Sequence, residues 1–156
     1  MRALSQFINE VLLVILCAGL LSCQSKATGP YFESLISVQE ETSVVYFYRT
    51  KIEGPVHSFE HRVYDGAQKI GALDDNSYFV LHVKPGLHRF NIDRGRRNEV
   101  TISLIGGKAY FMRLDVDWVS GFKGMRSYYP YLSSVGELEA SDEMRKCRLF
   151  LVEESS

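Results

Sequence analysis

A charge of one sign is what this chain most plainly lacks: 18 Lys and Arg stand against 19 Asp and Glu over 156 residues, a formal charge of −1. Such a surface has no field to gather a polyanion, so no nucleic-acid partner is expected. Metal-ligand spacing is missing too. His57, His61, His82 and His88 form no H-E-x-x-H, and the three Cys form no C-x-x-C, so neither a metal nor another cofactor is expected. Val119-Ser120-Gly121 lacks the first Gly of a G-x-S-x-G nucleophile turn. Asp115 and Asp117 share one strand face, but they lie opposite the apolar stripe and read as a solvated outer surface. No catalytic residue is therefore assigned.

Long apolar runs are scarce as well. Val11 to Leu21 is apolar for only 11 residues, about half of the roughly 20 that a helix needs to span a bilayer. Arg2 before this run and Ser22 after it fit a secretory signal peptide. Leu20-Leu21-Ser22-Cys23 resembles the lipobox of bacterial lipoproteins. That resemblance implies cleavage before Cys23 and acylation there. Residues 1–22 then form the signal peptide and Cys23 carries the lipid. Three acyl chains, at about 0.8 kcal/mol per buried methylene, hold a protein on a membrane far more firmly than one. Gln24 rather than Asp follows the Cys, which by the same resemblance implies the outer membrane of a two-membrane cell, with the domain facing the periplasm. Cys147 is then left alone in the mature chain and reads as a buried small hydrophobe.

Hydrophobic residues make up 46% and charged residues 24%, the balance of an ordinary globular domain rather than a disordered chain. Aromatics reach 12%, with nine Tyr and nine Phe against one Trp, which favours strands over a helical bundle. Residues 23–30, ending in Gly29-Pro30, have a tether's composition, and residues 31–156 form one domain, beginning near Tyr31. Ser43–Arg49 is apolar on both faces, as in a central strand. Asp65-Gly66 predicts a type I′ hairpin, with positive φ at both residues. Phe79, Leu81 and Val83 alternate up to Lys84-Pro85-Gly86-Leu87, and His88, Phe90 and Ile92 alternate beyond it. A tight turn here aligns the two apolar faces. A type II turn splays strands, however, and the Pro-Gly is equally suited to carry the chain into a second sheet.

A three-residue loop, Ile105-Gly106-Gly107, is the hairpin that aligns the stripes on either side of it, pairing Ile102 with Tyr110 and placing Gly107 at positive φ. After Trp118 the Gly, Pro and Ser residues interrupt any period, so a long irregular segment is expected. Ser141-Asp142-Glu143 ahead of Arg145, Lys146 and Arg148 predicts a short C-terminal helix starting there. Together these features predict an all-β fold, an antiparallel β-sandwich of about six to eight strands with one short helix.

Phe32, Tyr46-Phe47-Tyr48-Arg49, Val63-Tyr64-Asp65-Gly66, Ile70-Gly71, Leu73, Pro85-Gly86-Leu87-His88 and Gly107-Lys108-Ala109-Tyr110-Phe111 follow one another in an order that resembles domain-of-unknown-function family 2846. These are small bacterial proteins, many with lipoprotein signals. The resemblance covers nearly the whole mature chain and implies a β-sandwich at the cell envelope. It brings no catalytic residues.

Tyr and Arg dominate binding hot spots. The candidate binding residues are therefore Trp118, Phe122, Lys123, Arg126, Tyr128, Tyr129 and Tyr131, whereas Arg94, Arg96 and Arg97 crowd a turn and read first as a solvated loop, with lipid head groups or an acidic partner as the alternative. The expected function is a lipid-anchored, non-catalytic interaction module for an envelope protein or polymer. The alternative is an envelope hydrolase with a dispersed active site.

The anchor is testable directly. Metabolic labelling with a fatty acid is expected to mark the wild type and to miss Cys23→Ala; label retained by the variant overturns the lipobox reading.

Overall fold

Seven consecutive residues, Ser43–Arg49, form strand β1, and every one of them is buried. Val, Tyr and Phe fill both faces of this strand, which therefore needs cover on both sides. The computed structural model describes residues 27–52, 59–93, 99–120 and 126–151. Cys23 and the signal segment, and with them His57, Arg94, Arg96, Arg97, Phe122 and Lys123, lie outside the described residues. After β1 come β2 (His61–Asp65), β3 (Gln68–Leu73), β4 (Ser77–Val83), β5 (Gly86–Ile92), β6 (Val100–Leu104), β7 (Ala109–Ser120), β8 (Arg126–Val135), helix α1 (Glu137–Met144) and the two-residue β9 (Arg148–Leu149).

The strands form two sheets, one in the order β8-β7-β1-β4-β9 and the other β3-β2-β5-β6. The fold is the expected all-β sandwich. Its larger sheet is mixed, since β1 runs parallel to β7 and β4 parallel to β9. Between the sheets, Val45, Phe47, Phe79, Met112, Leu114 and Leu132 of the first meet Val63, Leu73, Phe90, Ile92 and Leu104 of the second. The outer face of the larger sheet carries a second core, in which Val44, Tyr46, Tyr48, Tyr78 and Phe111 pack under Phe32, Ala140, Met144 and Cys147.

The chain changes sheet where a hairpin was one option. Lys84-Pro85-Gly86 carries it from β4 to β5 in the other sheet, so the splaying Pro-Gly prevails over the tight turn. The hairpin expected at Gly106-Gly107 is a second such crossing: β6 pairs with β5, while β7 pairs with β1 and β8. Ile102 therefore lies opposite His88 and not Tyr110. Gly107 does have the expected positive φ, 74°. The Asp65-Gly66 hairpin forms with a shifted turn. Asp65 pairs with Gln68, and the two turn residues are Gly66 and Ala67. Positive φ falls on Gly66 and not on Asp65, the position at which a type II′ turn takes glycine.

Two further expectations are corrected. The segment after Trp118 is not irregular from end to end, because Arg126–Val135 pairs along its whole length with β7. Pro130 is accommodated because β8 is an edge strand and needs no amide on its open side. The helix starts at Glu137 rather than at Ser141, with Gly136 at its N-cap and Glu137 and Glu139 in its first turn. Ala140 and Met144, four residues apart, seat one face on the sheet, and this burial fixes where the helix lies. Arg113 secures it, its Nη1 reaching Glu139 at 2.8 Å and Glu143 at 3.0 Å while its Nε holds Asp115 at 2.9 Å. Tyr48 donates to Glu143 at 2.6 Å. Asp115 is thus on the predicted outer face but half-buried and paired.

The packed chain already includes Ala27, and Gly29 N–H donates to Leu149 O at 3.0 Å. Cys147 is buried, and burial pushes its thiol up to about 12, which suits a small core hydrophobe and not a nucleophile.

A Cβ on Gly106 collides with the Glu40 carbonyl oxygen, whereas one on Gly107 meets only Glu40 Cα at 3.7 Å. Gly107→Ala is expected to cost about 1 kcal/mol through φ strain. Gly106→Ala is expected to cost more, about 2–3 kcal/mol, because backbone must move. Urea unfolding midpoints of the two variants check this order.

Candidate functional site

β7 outruns the rest of its sheet. Its residue Arg113 lies beside Tyr48 near the end of β1, yet the β7–β8 ladder continues to Ser120 and Arg126. The result is a two-stranded ribbon projecting past one end of the sandwich. Alternation divides the sequence candidates between its faces. Trp118 pairs with Tyr128 on the face that continues the inner core residues Leu114 and Leu132. Tyr129 pairs with Asp117 and Tyr131 with Asp115 on the other face. Arg126 closes the ladder opposite Ser120. The expected single aromatic patch is therefore two.

The inner-face pair belongs to a larger cluster. Tyr128 is its hub: its ring lies 6.3 Å from that of Phe59 at an interplanar angle of 16°, 6.2 Å from Trp118 and 6.3 Å from His61, edge to face. Phe59 is 52% exposed and Trp118 42% exposed, so they present a platform to solvent while Tyr128 is half-covered between them. Phe59 and its partners come from the β1–β2 connection, β2, β7 and β8, segments distant in sequence.

Polar groups underpin the platform. Arg49, at the end of β1, is fully buried; its Nη1 donates to Phe59 O at 2.6 Å and its Nη2 meets Asp75 at 2.8 Å. Burial pulls this guanidinium below its ordinary value, and Asp75, Asp74 and Tyr128 oppose the shift. The Arg49 bond fixes the backbone at Phe59, so a buried ion pair positions an exposed ring. His61 is only 3% exposed, with Nδ1 2.7 Å from Asp93 Oδ2. Its buried Nε2 has no hydrogen-bond partner among the described residues.

His61 and Asp93 form one of two matching clamps on the β2–β5 ladder. In β2, His61-Arg62 faces Asp93: the carboxylate takes His61 Nδ1 on one oxygen and the Arg62 backbone N–H, at 2.9 Å, on the other. At the far end of the same ladder, His88-Arg89 faces Asp65 in the same way, with Nδ1 at 2.6 Å and the Arg89 N–H at 3.1 Å. The antiparallel pairing sets one clamp at each end of the ladder. The sequence carries a signal for this, His-Arg followed by Asp at 65 and at 93, but only the pairing of β2 with β5 shows that each Asp serves the other strand's His.

The residues of this cluster that the sequence reading did not single out as binding candidates are Phe59, Arg49, His61 and Asp93. His82 and His88 lie on strands of different sheets: His82 is exposed, and His88 is held between Asp65 and Lys84 O. Among the described residues no group of three His, Cys, Asp or Glu side chains could hold a metal ion. Comparison of the chain with protein-family models, with curated proteins and with solved structures gave no match.

Two measurements test this geometry. Tyr128→Ala, which removes the hub ring, is expected to cost about 1–3 kcal/mol, less than a fully buried aromatic. Tyr129→Ala, on the exposed face, is expected to fall within about 0.5 kcal/mol of wild type in the same urea titration. Burial acts to raise the Asp93 carboxyl, but hydrogen bonds from His61 and the Arg62 amide outweigh it and hold the group below its ordinary value. Its ionised form thus favours folding above the ordinary carboxylate range of about 4, a contribution lost as pH falls through the lowered folded value. Asp93→Asn is expected to flatten the acid limb of the stability–pH curve.

Proposed function

We propose that this chain is a lipid-anchored bacterial envelope protein, of the kind seen in domain-of-unknown-function family 2846, whose β-sandwich is a non-catalytic binding module for an envelope protein or polymer. The observation that carries this reading is the Phe59–Tyr128–Trp118 platform. Large rings held half-exposed by a buried ion pair offer contact area with little entropy left to lose on binding. A ribbon projecting from a rigid sandwich is where such residues are most accessible to a partner.

The direction of approach follows from the sheet order. Ala27 to Tyr31 lies along β9, one edge of the larger sheet, and the ribbon contains β8, the opposite edge. Four strand spacings, about 19 Å, separate the two. A lipid at Cys23 precedes in sequence a segment that lies along the edge without the platform. This supports a partner other than the acyl chains' own bilayer, with the outer membrane as the proposed site of the anchor.

The hydrolase alternative has one observation in its favour, an imidazole oriented by a carboxylate as a general base requires. Its free nitrogen meets no hydroxyl among the described residues, so the binding reading is preferred.

A photoreactive residue at position 118 in intact cells is expected to capture an envelope component. The same residue at position 138, exposed on α1, is expected to capture none. Equal capture at the two positions, or none at 118, overturns the platform's role.

A further inference from the structure

The two His–Asp clamps are alike on one ring nitrogen and differ on the other. At His61, Nε2 faces no acceptor among the described residues, so a neutral ring with its proton on Nδ1 satisfies the clamp. At His88, Nδ1 lies 2.6 Å from the Asp65 carboxylate and Nε2 lies 2.9 Å from the Lys84 carbonyl oxygen. Both of these partners are acceptors, with no hydrogen of their own to give. A neutral imidazole has one N–H and one lone pair. Whichever tautomer it takes, one of the two contacts sets a lone pair against an oxygen. Only the imidazolium, with two N–H donors, satisfies both.

We infer that His88 is held as an imidazolium that staples the crossing between the two sheets, and that this staple opens when the proton leaves. Lys84 belongs to the segment that takes the chain from β4 to β5, and Asp65 ends β2 beside the Gly66 turn. One charged ring thus ties a sheet-to-sheet crossing to a hairpin. A neutral ring keeps its N–H on the stronger acceptor, Asp65, and releases Lys84 O, freeing the crossing.

Among the charged groups around the ring, the Asp65 carboxylate favours this state. Asp65 comes from β2, Lys84 from the crossing and Arg89 from the ring's own strand; Arg89 also gives its backbone N–H to Asp65. β6, which sets Ile102 opposite His88, contributes no titratable group. Across the sandwich β4 presents Leu81 and Val83, and β7 presents Tyr110, whose hydroxyl is engaged by the Ile105 amide at 2.8 Å. The Glu40 backbone, from the segment before β1, lies close to Gly106 at this end. Phe90 lies parallel to the ring at 5.7 Å. Burial acts to lower the His88 value, but the bonds to Asp65 and Lys84 O outweigh it and the net shift is upward. A raised folded value stabilises the fold fully below the ordinary His range near 6.5, and the contribution is lost as pH rises through the folded value.

The test is an NMR titration of the imidazole resonances in the full chain, assigned with single His→Gln variants. His88 is expected to titrate above the ordinary His range near 6.5, and at pH 6.5 both of its ring nitrogens are expected to show the shifts of protonated nitrogen. Amide exchange at Lys84 and residues 86–88, corrected for its intrinsic pH dependence, is expected to accelerate above the His88 midpoint, and not in His88→Gln. A His88 midpoint at or below about 6.5, or a pyridine-like ring nitrogen on His88 at pH 6.5, overturns the staple. Exchange that stays flat through the midpoint overturns the release of the crossing. Wild-type spectra decide the first two points whether or not the variant folds.

Discussion

Burial of β1 on both faces is the constraint on which the rest of the molecule depends. A strand reading Ser-Val-Val-Tyr-Phe-Tyr-Arg has no polar face to turn to water, so the sheet that holds it must be covered twice. The second sheet covers one side. On the other, the segment around Phe32 and helix α1 lie over Tyr46 and Tyr48. The tyrosines make this cover specific, because their hydroxyls need partners when buried. Tyr46 accepts the Ile36 N–H at 2.8 Å and Tyr48 donates to Glu143. The sandwich is thereby locally three-layered, and a helix too short to be stable by itself is held by what it covers.

Buried and half-buried charge then fixes the ends of this arrangement. Arg113 gathers Asp115, Glu139 and Glu143 on the outer face, joining helix to sheet. Arg49 closes β1 by binding Asp75 and the Phe59 carbonyl. Neither guanidinium could be lost cheaply, since removing one partner of a desolvated pair strands the other. The His–Asp clamps do the same for the second sheet, fastening both ends of the β2–β5 ladder.

The aromatic platform is a product of these ties rather than of any local motif. Phe59 is held through its backbone by Arg49, Tyr128 rests on His61, and Trp118 lies across the ribbon from Tyr128. The rings are thus fixed although two of the three are exposed, and in the proposed binding role such rigidity would let a small contact area retain affinity.

The sequence by itself determined the strand-rich class, the central position of Ser43–Arg49, the presence of the hairpin at Asp65-Gly66 and the positive φ at Gly107. Each of these depends on composition or on period-two alternation, which are local properties. Which sheet a strand joins was decided by tertiary structure alone, because alternation reads the same whether the chain folds back in a hairpin or crosses to the facing sheet. That is why the Gly106-Gly107 pairing was mistaken. Pro130 concealed β8 for a related reason: a proline excludes a central strand and is harmless on an edge, and only the assembled sheet says which strand is at the edge. The candidate aromatics were visible as residue types, yet the division of Trp118 and Tyr128 from Tyr129 and Tyr131 required the ribbon's register, and the contributions of Arg49, Phe59, His61 and Asp93 required long-range pairing that brings segments tens of residues apart to one end of the sandwich.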